Sequence, residues 1–428
     1  MCDTLVLVAA GGVWLAKNSD REPDEVQLLE HHAAGLHPGG TRLQLAHPGP
    51  GLDLPQAGPS HEMWVSRPRW MWGCEMGVNA RGVAVANEAV FVRPALADRG
   101  TTGMDLQRIA LARASSAAEA LAVIVEMLAV FPQGGRMGYR DRSMRYSSSF
   151  ILADAREAWV LETAGALWAA RRVAGAYTLS NVLTIEDDFD QIHPQAYATA
   201  RERGWCRGAA DFGFARSFAR PFYRVMSGGH RRRACTLRGL TRLTDAGPLD
   251  AAALAGLLRD HGDIGPEDGL RMHMPCAHAS WLPTRASGQT TASMLARLEP
   301  DGPKMWFTGS SAPCLSVFKP VGFGGDPRAA LPVAGDAPDD SLWWRHERLH
   351  RVTLQDYAAR RAAFATERAA LEARALAVDA NDAAAVAAIW AEHHAAIPGW
   401  TAAARATGRP GWRPFHRYWA RKARAAGV

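Results

Sequence analysis

The sequence predicts an α+β fold, and three observations carry that prediction. Short strands open the chain, a helical pair and a run of strands follow, and the last stretch is helical. Strands therefore do not alternate with helices as a Rossmann-type parallel sheet requires. No G-x-x-x-x-G-K-S/T phosphate loop occurs either, which removes a large class of nucleotide enzymes.

In chain order, Thr4–Ala9 and Val13–Ala16 are apolar and rich in β-branched residues, and the Gly11-Gly12 pair between them signals a turn. Residues 31–60, rich in Gly, Pro and His, read as loop. Met63–Ser66 and Val83–Val85 read as strands around the Trp-rich segment RPRWMWGCEMG. Met104–Phe131 has helical periodicity. Ser116 and Glu119 form an S-x-x-E capping box, which divides it into two helices near Ser115. After the loop PQGGRMGYRDRSMRYSS, four strands at Ser149–Ala153, Ala158–Thr163, Leu167–Arg172 and Tyr177–Leu179 predict a meander. Asp250–Asp260 is a helix, and Thr290–Leu298 and Met305–Thr308 are strands. The Gly/Pro/Asp-rich stretch 322–340 reads as a linker, and from Ser341 to the end the pattern is helical, with no turn signal before Ile397-Pro398-Gly399. The expected division is a layered domain over 1–325 with a helical region, 341–428, packed on it.

Composition sets limits on function. The chain has 428 residues, 48% hydrophobic and 21% charged, the values of an ordinary globular protein. The longest apolar run, Ala117–Phe131, carries Glu119 and Glu126 and is too short to span a bilayer. The start MCDTLVLVAAGG lacks the basic region of a signal peptide, so a cytoplasmic protein is expected. The six cysteines contain no CxxC pair, which speaks against a disulfide scaffold or a zinc ribbon. Net charge is +6, with basic clusters at Arg231–Arg233 and Arg405–Arg424. No nucleic-acid-binding motif accompanies them, so they read as solvated surface.

The chemistry begins at Met1-Cys2. A small second residue allows Met1 to be removed, and Cys2 then supplies two functional groups: a thiol nucleophile, and an α-amine whose pKa near about 7.7–8.0 suits a general base. Strand, Gly turn and returning strand would carry Lys17–Arg21 back beside Cys2. There Asp20 can orient the amine, while Arg21 or Lys17 stabilises the thiolate.

CDT followed by AKNSDREPDEVQ resembles the opening of the dipeptidase/secernin family of N-terminal nucleophile (Ntn) cysteine hydrolases, which are similar to penicillin V acylase and bile salt hydrolase. The resemblance continues in order through SRPRWMWGCEMGVNARGVAVANEAV, GMDLQRIAL, PQGG, AWVLETAGALWAARRV, LSN, TTASM, FTGSSAPCLSVFKP and WWRHERLHR. It thus covers almost the whole chain, most weakly in the C-terminal helices.

The resemblance implies a four-layer αββα sandwich and amide hydrolysis through a Cys2 thioester, without metal or organic cofactor. Cys2 matches the nucleophile and Asp20 the adjacent acid. Lys17 falls where the acylases carry Arg, a role open to Arg21 as well. Asn181 of LSN matches an oxyanion-hole asparagine. Asn87 lies about two positions from the second one by alignment, with Asn79 as competitor. The acylases' last catalytic arginine is left open among Arg216, Arg220 and Arg224. The implied partner is a dipeptide or other small amide, not nucleic acid or membrane, and a homo-oligomer is left open. An N-acyl amino acid acylase with the same site, and a non-hydrolytic secernin-like binding protein, are the alternatives.

Other residues carry competing readings. His273, Cys276 and His278 offer metal-ligating side chains, but their spacing fits no standard zinc site and the sequence indicates no fourth ligand, so the expectation is a structural or substrate-facing strand end without metal. Trp64, Trp70 and Trp72 suit either an apolar substrate pocket or the core. The arginine-rich loop 132–148 is either a mobile lid or plain surface.

Overall fold

The computed structural model describes residues 2–45, 52–56 and 58–428. Met1, whose removal is expected, lies outside them, as do residues 46–51 and 57 of the predicted loop. Two compact units are present. The first is 1–15, 30–237 and 296–303; the second is 16–29, 238–295 and 304–428. The predicted helical region 341–428 thus shares a unit with earlier strands and loops.

The first unit is layered. Strand β1 (Asp3–Ala9) pairs antiparallel with strand Ala176–Leu179, in register Thr4 to Leu179. On its other side lie residues 12–15 of β2 (Gly12–Arg21), and beyond them residues 296–299 of strand Gln289–Glu299. Gly12 has φ +138°, and a Cβ there would collide with Leu298 O, so the glycine turn is needed for both conformation and space. A second sheet runs Gln191–Ile192, Leu167–Arg172, Ala158–Ala164, Ser147–Ala153, Ala84–Val90, Met76–Asn79, Met63–Pro68 and residues 30–32 of strand Gln27–His32. Sheet packs on sheet where β1 meets Ala84–Val90, and where Ala176–Leu179 meets Ser147–Ala153. Helices α1 (Gly103–Arg113) and α2 (Ala117–Val130) cover the other face of the larger sheet. Leu106, Ile109, Leu121 and Ile124 pack there against Val85, Phe150, Leu152 and Leu161. Alternate residues of each strand face the helices, as the two-residue period requires.

In the second unit, residues 16–21 of β2 neighbour 289–295, and strand Gly302–Phe307 pairs with Lys319–Val321. Helices Ala365–Ala377 and Ala383–Ala406 pack on Lys319–Val321. Asn18 of β2 donates to Leu258 O, at the end of helix Ala251–Leu258, and to Pro275 O of the segment that follows. The α+β class, the stacked sheets with helices upon them, and the helical C-terminal region all match the sequence expectation. Among the described residues no helix is long and apolar enough to cross a membrane.

Three local expectations change. Parts of 31–60 form small ribbons, Gly35–His37 with Gly58–Ser60 and Arg42–Gln44 with Asp53–Pro55. The predicted meander loses its last strand: after Gly175, at φ +75°, Ala176–Leu179 leaves for β1. Helix Ala383–Ala406 runs through Pro398. Proline has no N–H for the carbonyl four residues back. Arg345 Nη1 supplies a donor instead, 3.3 Å from His394 O.

Candidate functional site

The crossing of Ala176–Leu179 to β1 is what builds the site, because it delivers Ser180 and Asn181 to the start of the chain. Cys2 is buried and its backbone is gripped by side chains. Its N–H donates to Asn181 Oδ1 at 2.9 Å. Its carbonyl accepts from Arg232 Nη1 at 2.8 Å and from Ser180 Oγ at 3.3 Å.

Arg232 joins these groups. It is fully buried; Nη1 also donates to Asp3 Oδ2 at 2.7 Å, and Nη2 donates to Asn181 Oδ1 at 2.7 Å and more weakly to Ser227 O. Burial pushes the Asp3 carboxyl above the usual range, against the opposing pull of Arg232. Two donors on one oxygen fix the amide orientation of Asn181. Its Nδ2 donates to Ala89 O at 2.9 Å. Asn181 therefore offers Cys2 an acceptor, whereas an oxyanion hole needs a donor.

The three open arginines are engaged elsewhere. Arg216 bonds Asp211 O, Arg220 bonds Val92 O, and Arg224 contacts His230. Arg232 was hidden in the run Arg231–Arg233, which composition presents as solvated surface. The helix from Gly229 turns the middle arginine inward while Arg231 stays exposed.

Asn87 and Asn79 serve other contacts. Asn87 lies on the helix-facing side of its strand, with Nδ2 3.3 Å from Met104 Sδ. Turning the amide over lets it donate instead to Glu75 O and Oε2. It is the next residue, Glu88, that faces β1 and accepts from Thr4 Oγ1. Asn79 Nδ2 donates to Leu111 O and Ala114 O, and its Oδ1 accepts from Arg81 N and Val83 N, so it closes the end of α1 and a turn.

In the second unit, Asp20 is buried and its Oδ1 accepts from Thr290 Oγ1 at 2.7 Å. Lys17 is fully buried. Arg21 pairs with buried Glu25 through Nε at 2.9 Å and Nη2 at 2.6 Å.

An apolar cluster adjoins Ala89, the partner of Asn181. Met71, Met104, Met137 and Tyr146 form it, with Trp70 and Phe91 partly exposed at its margin. Arg136 of the loop 132–148 lies over the Trp70 ring at 4.7 Å. Of the three tryptophans considered, Trp64 is core and Trp72 packs on the core beside Arg108; Trp70 alone joins this cluster. Of the potential metal ligands, Cys276 and His278 converge with His261 and Cys314, while His273 stands outside that group.

No protein-family model matches the chain. Among solved structures it is similar to penicillin V acylase from Agrobacterium tumefaciens, at 11% identity and TM-score 0.40, covering 76% of this chain and 86% of that one. A variant of conjugated bile acid hydrolase from Clostridium perfringens gives 11% and 0.40, over 72% and 88%. An N-acylethanolamine-hydrolysing acid amidase ortholog from Caenorhabditis elegans gives 9% and 0.33, over 69% and 92%. Likeness at this level fixes neither activity nor substrate.

Proposed function

We propose that the chain is a cysteine amidohydrolase of the Ntn type, acting on a dipeptide or other small amide in the cytoplasm once Met1 is removed. The observation that carries the reading is the grip on residue 2. A buried side-chain oxygen, Asn181 Oδ1, receives the Cys2 nitrogen, and Arg232 and Ser180 hold the adjacent carbonyl. With Met1 gone, that nitrogen is an α-amine held in a fixed direction beside its own thiol. The amine takes the thiol proton as Sγ attacks the substrate carbonyl, then gives it to the leaving nitrogen. Water hydrolyses the thioester.

The cluster around Trp70 and Phe91 supports an apolar group on the acyl side, which suits an N-acyl amino acid as well as a dipeptide. The roles that the family resemblance gives Asp20, Lys17 and Arg21 belong to this proposal; for Arg21 the pairing with Glu25 favours a structural part.

The test begins with the intact mass of untagged protein, which is expected to lack one methionine. A panel of dipeptides and N-acyl amino acids is then hydrolysed by wild type, and Cys2→Ala lowers kcat by about 10³-fold or more. Processed wild type that hydrolyses nothing in the panel, or equal rates with Cys2→Ala, would overturn the reading and favour a non-hydrolytic binding protein.

A further inference from the structure

We propose that His261, Cys276, His278 and Cys314 bind one zinc ion in a closed tetrahedral site. All four belong to the second unit, and their ligand atoms lie within 4.8 Å of one another. His278 Nε2 is the hub: 3.0 Å from His261 Nε2, 3.5 Å from Cys276 Sγ and 3.5 Å from Cys314 Sγ. One imidazole nitrogen has a single proton or a single lone pair, so it cannot serve three partners by hydrogen bonding. A cation among the four atoms satisfies all of them. Zn–N of about 2.05 Å and Zn–S of about 2.3 Å give tetrahedral edges of about 3.3 Å for N to N and about 3.5 Å for N to S. The two N to S separations match, and the N to N separation is slightly short.

The outer contacts are those of ligating histidines. Each turns Nε2 inward and gives Nδ1 a polar partner, which fixes ring orientation. His278 Nδ1 is 3.4 Å from His350 Nε2, and His350 Nδ1 is 3.1 Å from Glu347 Oε1. Glu347 is held in turn by Arg351 Nε at 2.8 Å. His261 Nδ1 is 3.4 Å from Tyr357 Oη.

Ligand chemistry selects the metal. Two thiolates and two imidazoles suit zinc and offer nothing to magnesium or calcium. Three of the four residues are buried, and two thiolates balance the ion's charge, so the buried site is neutral. Binding is written Zn²⁺ plus two Cys–SH giving the dithiolate complex plus two protons. All four positions are filled by protein, which makes the site structural rather than catalytic.

The fold supplies a reason for such a staple. Between helix Ala251–Leu258 and strand Gln289–Glu299 the chain forms only two short 3₁₀ turns, Gly262–Ile264 and Pro283–Arg285. Irregular segments of that length are uncommon in compact units. Three ligands come from this segment. The fourth comes from the turn after Gly302–Phe307, where Ala312 has φ +49° two residues before Cys314. Ala277, between Cys276 and His278, donates its N–H to Thr290 Oγ1, which donates to Asp20 Oδ1. The staple therefore also fixes the partner of Asp20.

Untagged full-length protein, purified without chelator, is expected to contain about one zinc per chain by elemental mass spectrometry. Cys276→Ser and Cys314→Ser reduce this below about a tenth, and Cys235→Ser does not. Should those variants fail to fold, wild type decides alone. Mercurial titration releases zinc in step with two thiols, and cobalt(II)-exchanged protein shows visible tetrahedral d–d bands with a thiolate charge-transfer band. Metal-free protein whose thiols titrate without zinc release, a Cys276–Cys314 disulfide, or a different stoichiometric metal on these ligands would each overturn the assignment. None of these readouts involves amide hydrolysis, so this proposal and the reading of Cys2 fail separately.

Discussion

Arg232 is the side chain on which the Cys2 site turns. It is buried beside Asp3 with the ion pair closed at 2.7 Å, and it spends its other donors on Cys2 O and Asn181 Oδ1. Removing one partner of a buried pair leaves the other charge uncompensated, at a cost of about 3–5 kcal/mol. Arg232→Gln is expected to lose that much stability in urea unfolding at pH 7. Arg232→Gln combined with Asp3→Asn recovers part of it, because no buried carboxylate is then stranded. A loss below about 1 kcal/mol in the single variant would show that the pair does not hold the site. At this scale the sequence was uneven. Cys2 and Asn181 were legible because motif and position single them out. Arg232 was not, since a triple arginine looks like surface until a helix decides which one points inward. Strand alternation sends Glu88 toward β1 and Asn87 to the helix-facing side, a distinction of one residue that the sequence motif does not carry.

Among elements, the helical pair was the most legible. Ser116 Oγ accepts from Glu119 N as the capping box predicts, while the Glu119 carboxylate reaches back to Ser115 N. Strand destination was not legible. Four strands with short turns look like a meander, and nothing local says that the fourth joins β1; long-range pairing decides it. The approach of α1 to the sheet is equally hidden, and it depends on Gly103. A Cβ there would lie 1.9 Å from Ser148 Oγ and 2.5 Å from Ser148 Cβ. Gly103→Ala must displace the first turn of α1, even though alanine is the better helix former by about 1 kcal/mol. The expected net loss is about 1–3 kcal/mol by thermal or urea unfolding, the range for overpacked sites. Gly103→Ala with Ser148→Gly relieves much of it. A single variant as stable as wild type would mean that α1 does not rest on Ser148.

For the molecule as a whole, the position of Asn181 depends on a carboxyl two strands away, and this ties stability to pH. Glu162 is fully buried on strand Ala158–Ala164. Its oxygens accept from Thr184 N at 2.7 and 2.8 Å, Thr184 Oγ1 at 2.6 Å and Ile185 N at 3.0 Å, which pins the segment following Asn181. Burial pushes its pKa up to about 7, against those hydrogen bonds and the more distant attraction of Arg233. The sign follows from proton counts. Between about 4.5, the unfolded value, and about 7, Glu162 holds more proton in the folded protein than in the unfolded chain, so its contribution to stability falls as pH rises through that window and levels off above it, while the buried His346 and His393, held below the usual imidazole range by burial, contribute in the opposite sense. Thr184 Oγ1 can accept the carboxyl proton in the protonated state, since Tyr177 Oη lies 2.6 Å beyond it to receive the hydroxyl's own hydrogen bond. The decline is expected to reach at most about 3 kcal/mol, from about 1.4 kcal/mol per pKa unit. Urea unfolding of wild type and Glu162→Gln at pH 5, 6, 7 and 8 measures it as the difference between the two. Glu162→Gln lowers stability at pH 5, because an amide NH₂ then meets the Thr184 and Ile185 donors, but it removes the falling contribution, so its slope between pH 5 and 7 is more positive than that of wild type. If wild type and Glu162→Gln keep the same slope, another group titrates in that window and Glu162 is not what links pH to the Asn181 segment.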